Sequence, residues 1–129
     1  FKFCKLEEVL KLSDIISIHL PINKDTYHLL NKKRFNLLKK DSFIINTSRG
    51  EVIDEKALIE ALNDQKIKGA GLDVYEKEPN VNKKLFKFKN VVLTPHIGSA
   101  TIETRKKIAD LAILIVFNVL DVKKPFTEI

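Results

Sequence analysis

A chain of 129 residues with 44% hydrophobic content fits one compact domain and has enough apolar side chains for a core. Its net charge of +6 is carried mostly by short scattered groups such as Lys32-Lys33-Arg34, Lys39-Lys40, Lys83-Lys84, Arg105-Lys106-Lys107 and Lys123-Lys124, which read as a solvated surface and predict no nucleic-acid partner. The single Cys4 excludes an internal disulfide and offers no metal spacing, no apolar run reaches the roughly 18 residues of a membrane span, and the start is neither a signal nor an Arg-rich transit segment, so a cytoplasmic protein without metal or membrane is expected.

In chain order, a helical pattern over 6–12 precedes an apolar run at 15–20, which reads as a buried parallel strand because it lacks polar alternation. A second helical pattern covers 31–38, and a second strand covers 43–46. The third helix, over 54–62, carries its own start signal: Asp54 can cap it and Ile53 can staple against Leu58. It stops near Asn63, and Lys66 and Gly69 lead into a third strand at 70–74; a fourth strand follows at 91–93. The last helix, over about 101–120, is apolar on most sides from Ile108 onward, so it needs more cover than this chain supplies and is an aggregation liability when bare.

Strands alternating with helices predict a doubly wound parallel sheet with right-handed crossovers. In such a sheet the loops after the strands emerge at one carboxyl edge, where ligands bind. Those loops read His19-Leu20-Pro21, then Asn46-Thr47-Ser48-Arg49-Gly50, then Asp73-Val74-Tyr75-Glu76-Lys77-Glu78-Pro79, and last Thr94-Pro95-His96-Ile97-Gly98-Ser99. A guanidinium, carboxylates and an imidazole are thereby predicted to share one edge.

Such a set suits a 2-keto acid. Arg49 presents a planar fork of donors that can hold a carboxylate and polarise an adjacent carbonyl. His96 can donate a proton to the carbonyl oxygen as hydride reaches its carbon, and can take it back in reverse. Glu78 near that ring would favour its protonated form and fix its orientation. Taken singly, each residue has a plainer reading: a structural ion pair for Arg49, a turn residue for His96, a solvated loop acid for Glu78 beside Glu76 and Asp73. Their placement after successive strands is what joins them. His19, at a strand end, and His28, in a polar stretch, are assigned no catalytic role.

The runs HLPINKDT, INTSRGEVIDEKALIEAL, KGAGLDVYEKEP and NVVLTPHIGSAT resemble matching stretches of the D-isomer-specific 2-hydroxyacid dehydrogenases, most closely the glyoxylate and hydroxypyruvate reductases. The separations are family-like, 29 residues from Arg49 to Glu78 and 18 from Glu78 to His96. The resemblance implies part of a doubly wound, Rossmann-like NAD(P)-binding domain in an α/β chain, with residues 1–100 as its second half and 101–129 as a helix and tail packing toward a separate substrate domain. It assigns substrate binding to Arg49, the acid/base role to His96 and its carboxylate partner to Glu78, choosing Glu78 over Glu76. Thr47, Ser48, Arg49, Asp73, His96, Ile97 and Gly98 are implied to lie against the nicotinamide end of NAD or NADP, and Pro21 against the ribose and adenine side. Gly98 has a physical reason, since a residue without Cβ lets backbone approach a ring; Thr47 and Ser48 also read as ordinary turn residues.

No G-x-G-x-x-G occurs among the four glycines, Gly50, Gly69, Gly71 and Gly98, so the pyrophosphate-binding turn and the residue that separates NAD from NADP are not in this sequence. With no Met and a start at Phe1, the chain is expected to be a piece of a larger protein, inactive alone, and dimeric as the full-length enzyme. A second reading is a dinucleotide-sensing, protein-binding module, because the C-terminal binding protein corepressors share this resemblance; peptide capture without keto-acid turnover would favour it. The departures lie at 1–5 and in the tail 123–129, which matches only loosely.

Overall fold

The computed structural model describes residues 2–120; the expected tail at 123–129, with its Lys123-Lys124 pair, lies outside the described residues. Four parallel strands form one sheet in sequence order: β1 (Ile15–Ile18), β2 (Phe43–Asn46), β3 (Gly69–Leu72) and β4 (Val91–Leu93). Helix α1 (Leu6–Leu12) precedes β1, α2 (Lys32–Phe35) lies between β1 and β2, α3 (Glu55–Asn63) lies between β2 and β3, and α4 (Ile102–Leu120) follows β4. The expected parallel α/β architecture is present, and the strand order runs without reversal among the described strands.

Local chemistry explains where the helices begin. The Asp54 carboxylate accepts the Ala57 N–H at 3.1 Å, closing the first turn of α3, whose buried Ala57, Leu58, Ala61 and Leu62 make one helical stripe. Ile53, just before the cap, is buried in the same core as Leu58. Asn31 caps α2 in the same way, accepting the Arg34 N–H at 3.2 Å. The helix expected over 31–38 nevertheless lasts one turn, because Leu37 and Leu38 donate three residues back, to Arg34 and Phe35, and tighten the chain into turns.

The sheet register decides what the strand ends share. Ile18 pairs with Asn46, Asn46 with Leu72, and Leu72 with Leu93, so all four strands stop on one line. β1 ends two residues earlier than the apolar run 15–20 suggests, since His19 and Leu20 leave the ladder ahead of Pro21, which has no N–H to donate. The expectation that every strand is buried fails at the margins: Ile15 is 66% exposed on β1 and Val92 67% exposed on β4. Both strands are edges of the described sheet, whereas β2 and β3 are flanked on both sides. The core gathers Leu10, Phe35, Ile44, Val52, Leu58, Ile67 and Leu85 around the sheet.

Where sequence length allowed a single domain, contacts divide the chain into two compact units, 1–96 and 97–129. Within the second unit α4 forms as expected over nearly the whole apolar stretch, and none of its residues is buried. No helix among the described residues is long and apolar enough to cross a membrane.

Candidate active site

The residues that converge at the strand ends lie in the first unit. Because the four strand ends are in register, the loops after β2, β3 and β4 leave the sheet side by side. Arg49, Glu78 and His96 converge there on one cavity of about 380 Å³ that also touches Gly50 and Tyr75.

The β2 loop is shaped by a buried amide. Asn46, 1% exposed, donates from Nδ2 to the Arg49 carbonyl at 2.9 Å, while its Oδ1 accepts the Ser48 N–H at 3.1 Å and the Ser48 hydroxyl at 3.0 Å. One side chain thus folds 46–49 into a compact turn and turns Arg49 outward, its Nη1 donating to the Ser48 carbonyl at 2.6 Å. Gly50 follows with its backbone against that of Tyr75 and Glu76: a Cβ there would fall 2.0 Å from the Tyr75 carbonyl. The Arg49 loop and the Glu78 loop are therefore in direct main-chain contact, and only glycine permits it.

Glu78 uses both carboxylate oxygens. Oε1 accepts the Tyr75 N–H at 3.0 Å, and Oε2 meets His96 Nδ1 at 2.8 Å. Burial opposes ionisation of this carboxyl, but the hydrogen bonds from His96 and Tyr75 and the charges of His96 and Arg49 outweigh it, so Glu78 is held below the ordinary carboxylate value. Arg49 lines the same cavity as the Glu78–His96 pair. With Nδ1 committed to Glu78, Nε2 is the ring nitrogen left for another partner.

His96 sits at φ 54°, the left-handed region that favours glycine and tolerates histidine better than most residues. Beneath the pair, Tyr75 is 5% exposed and donates from its hydroxyl to the Thr94 carbonyl at 2.8 Å, pinning the β3 loop to the end of β4. Burial raises the Tyr75 phenol above its ordinary value, which keeps it neutral and donating.

The other residues implied for a nucleotide are distributed differently. Thr47 and Pro21 are exposed in the loops after β2 and β1, and the Pro21 carbonyl accepts the Thr26 hydroxyl at 2.7 Å. Ser48 is half-buried and committed to Asn46. Asp73 is 5% exposed, with its carboxylate accepting the Thr94 hydroxyl, so it lies beneath the edge rather than on it. Ile97 and Gly98 open the second unit, where both are exposed. Thr47 is exposed at the edge that also carries Arg49 and His96, and Pro21 is exposed after β1. An open edge with a guanidinium and an imidazole fits the nicotinamide end of a nucleotide, and the exposed β1 loop fits its ribose and adenine side.

Of the remaining histidines, His19 bonds Ser17 through Nε2 at 2.7 Å and is exposed. His28, assigned no catalytic role from the sequence, contacts the loop after β3: it stacks on Tyr27 at 4.0 Å, and its Nε2 lies 3.4 Å from Glu76 Oε1. Asn46, Gly50, Tyr75, Glu76 and His28 are thus the site residues that sequence reasoning passed over. Only Asn46 left a signal, as a polar residue closing an apolar strand. No group of three or more His, Cys, Asp or Glu side chains is arranged to hold a metal among the described residues.

Residues 1–98 match the model of the D-isomer specific 2-hydroxyacid dehydrogenase NAD-binding domain. A glyoxylate reductase of Thermococcus litoralis is 54% identical over 110 residues, covering 85% of this chain and 33% of that protein. Glyoxylate reductase 1 of Saccharomyces cerevisiae is 42% identical over 126 residues, covering 98% of this chain and 36% of its own length. Among solved structures, the NADPH-dependent glyoxylate/hydroxypyruvate reductase of Sinorhizobium meliloti, determined with NADP and malonate, superposes with a TM-score of 0.90 at 34% identity, covering 96% of this chain and 39% of that one. The D-mandelate dehydrogenase of Rhodotorula graminis gives a TM-score of 0.90 at 41% identity over 97% of this chain and 36% of its own. The chain spans about a third of the length of the curated relatives it matches.

Proposed function

Because the chain belongs to the D-isomer specific 2-hydroxyacid dehydrogenases, whose NAD-binding domain it matches over residues 1–98, we propose that the full-length protein reduces a small 2-keto acid of the glyoxylate or hydroxypyruvate type. The nicotinamide of NADH or NADPH supplies the hydride. Arg49 holds the substrate carboxylate through a two-pronged, charge-assisted contact and draws electron density from the neighbouring carbonyl. His96, protonated, gives its Nε2 proton to the carbonyl oxygen as the carbon is reduced, and recovers a proton from the alcohol in the reverse direction. Glu78 keeps the ring oriented and stabilises its cationic form.

What supports this assignment above all is the 2.8 Å contact between Glu78 Oε2 and His96 Nδ1 beside a cavity that Arg49 also lines. An imidazole oriented by a carboxylate, next to an anion-binding guanidinium, suits proton transfer to a carbonyl held by its acid group. Pro21, Thr47, Ser48, Asp73, Ile97 and Gly98 complete the proposal as the residues nearest the nucleotide, with 1–100 serving the dinucleotide domain and 101–129 packing toward a substrate domain. The 129 residues contain no glycine-rich phosphate turn, so this chain by itself is expected to show no turnover. A cytoplasmic homodimer completes the picture, to be checked by light scattering on the full-length protein. The central test is steady-state reduction of glyoxylate, hydroxypyruvate and bulkier 2-keto acids by the full-length protein and its His96→Ala variant. NAD(P)H oxidation that His96→Ala leaves unchanged would remove the mechanism.

A further inference from the structure

Placing a carboxylate against an imidazole to within a few tenths of an ångström is demanding for a loop, and Glu78 lies six residues beyond the end of β3. Its own contacts run to Tyr75 and His96, in the same loop and the next. Something outside those loops must hold residues 75–78 in place. The residue positioned to do so is Glu76, which the family resemblance passed over in favour of Glu78.

Three contacts converge on Glu76. Its Oε2 accepts the N–H of Glu55, the first residue of α3, at 3.1 Å. Its own N–H points back to Glu55 Oε2 at 3.5 Å, which closes a reciprocal tie between loop and helix. Its Oε1 lies 3.4 Å from His28 Nε2, a ring nitrogen that is shielded from solvent and makes no hydrogen bond. His28 is itself fixed by stacking on Tyr27 and by its backbone N–H donating to the Glu51 carbonyl at 2.8 Å.

The electrostatics of this arrangement are coherent. A carboxylate at the start of α3 meets an N–H that the helix cannot satisfy and the positive end of the helix dipole. Glu55 sits close enough to feel the Glu76 charge, and burial first, then that charge, lift its own carboxyl above the ordinary value. Glu51, whose carbonyl holds His28, follows Gly50, the residue pressed against Tyr75 and Glu76. The loops after β1, β2 and β3 and the start of α3 therefore meet at one carboxylate.

We infer that Glu76, clamped between the His28 ring and the first turn of α3, is a positioning residue that sets Glu78 against His96. Glu76 also lines the cavity shared by Arg49, Glu78 and His96, but both of its carboxylate oxygens are turned to Glu55 and His28, so its effect runs through Glu78. This rests on the reading of Glu78 and His96 as the proton-transferring pair.

The test uses the full-length protein, with two readouts: imidazole ¹⁵N–¹H correlation of the His96 Nδ1–H, and kcat and KM measured separately. Glu76→Ala is expected to lower kcat roughly tenfold, the scale of a sub-ångström misplacement, while KM moves less than about threefold. Its His96 Nδ1–H signal should shift toward that of Glu78→Gln. Glu76→Gln, whose amide oxygen can still accept the Glu55 N–H, should recover at least half of both effects. If Glu76→Ala does not fold, His28→Asn takes its place, since asparagine tolerates the φ of 48° at this position and removes the ring that meets Glu76, and it should lower kcat about twofold with the same direction of signal shift. An unchanged His96 signal and unchanged kcat in the folded variant overturn the inference. The signal is read without turnover, so a loss of signal change condemns Glu76, whereas normal turnover in His96→Ala condemns the acid/base assignment itself.

Discussion

Gly50→Ala should be among the most damaging single-methyl changes in this chain, and the structure says why. The new Cβ would fall 2.0 Å from the carbonyl carbon and oxygen of Tyr75 and 2.6 Å from the amide nitrogen of Glu76. Ordinary contact begins near 3.4 Å, so two stretches of main chain must part by roughly 1.4 Å, with no flexible side-chain tip to give way. Overpacking of that kind costs about 3 kcal/mol. For a unit of residues 1–96, that corresponds to a fall in Tm of roughly 12–24 °C. The same displacement separates Arg49 from Glu78, so activity in the folded fraction should drop about a hundredfold. Gly71→Ala is the matched control. Its Cβ meets only Ile45 Cδ1, at 3.1 Å, a side-chain end that can rotate aside, and alanine suits a strand better than glycine, so stability should stay within about 1 kcal/mol. Thermal denaturation of the chain by circular dichroism, with kcat of the corresponding full-length variants at a temperature where each is folded, decides the matter. Equal Tm values for the two variants would refute the close approach of the loops.

In the full-length protein, Arg49→Gln should raise KM about ten- to a hundredfold, the loss of a charge-assisted contact worth about 1.5–3 kcal/mol, with a smaller change in kcat. His96→Ala should instead lower kcat by about 10²–10⁴, and stopped assays across keto-acid concentrations separate the two. Asn46→Leu would strand the Arg49 carbonyl and the Ser48 N–H; a loss of about 2–4 kcal/mol in urea denaturation is expected, and an unchanged midpoint would show that the amide does not organise the loop. Because the Glu78 carboxyl is lower in the folded chain than its ordinary value of 4.5, it stabilises the fold above about that pH, and the contribution is lost as pH falls through the depressed value. Glu78→Gln should therefore flatten the acid limb of a stability–pH curve, read by urea denaturation across the acid range.

Much of the fold was legible in the residues because its causes are local. Asp54 before a helical stripe announced α3 to within a residue, and the unbroken apolar β-branched runs announced β2 and β4. The end of β1 failed where geometry overrides propensity: the run from Ile15 reads on through His19 to the apolar Leu20, but the ladder stops ahead of Pro21. Helix α2 shrank to one turn because residues 37–38 bond three back instead of four.

The grouping of Arg49, Glu78 and His96 was legible in the same way, since they follow three successive parallel strands and only one edge of such a sheet can receive them. What the sequence alone could not specify is which side chains keep them there. Asn46 curling the β2 loop, Gly50 meeting Tyr75, and His28 reaching Glu76 across 48 positions of chain are contacts between segments far apart in the sequence, and nothing in the local pattern of either partner encodes the other. Residue type and order determined which groups could meet at this edge; the packing of the loops against α3 decided how closely they are held, because distance between remote segments is set by tertiary contacts and by nothing nearer.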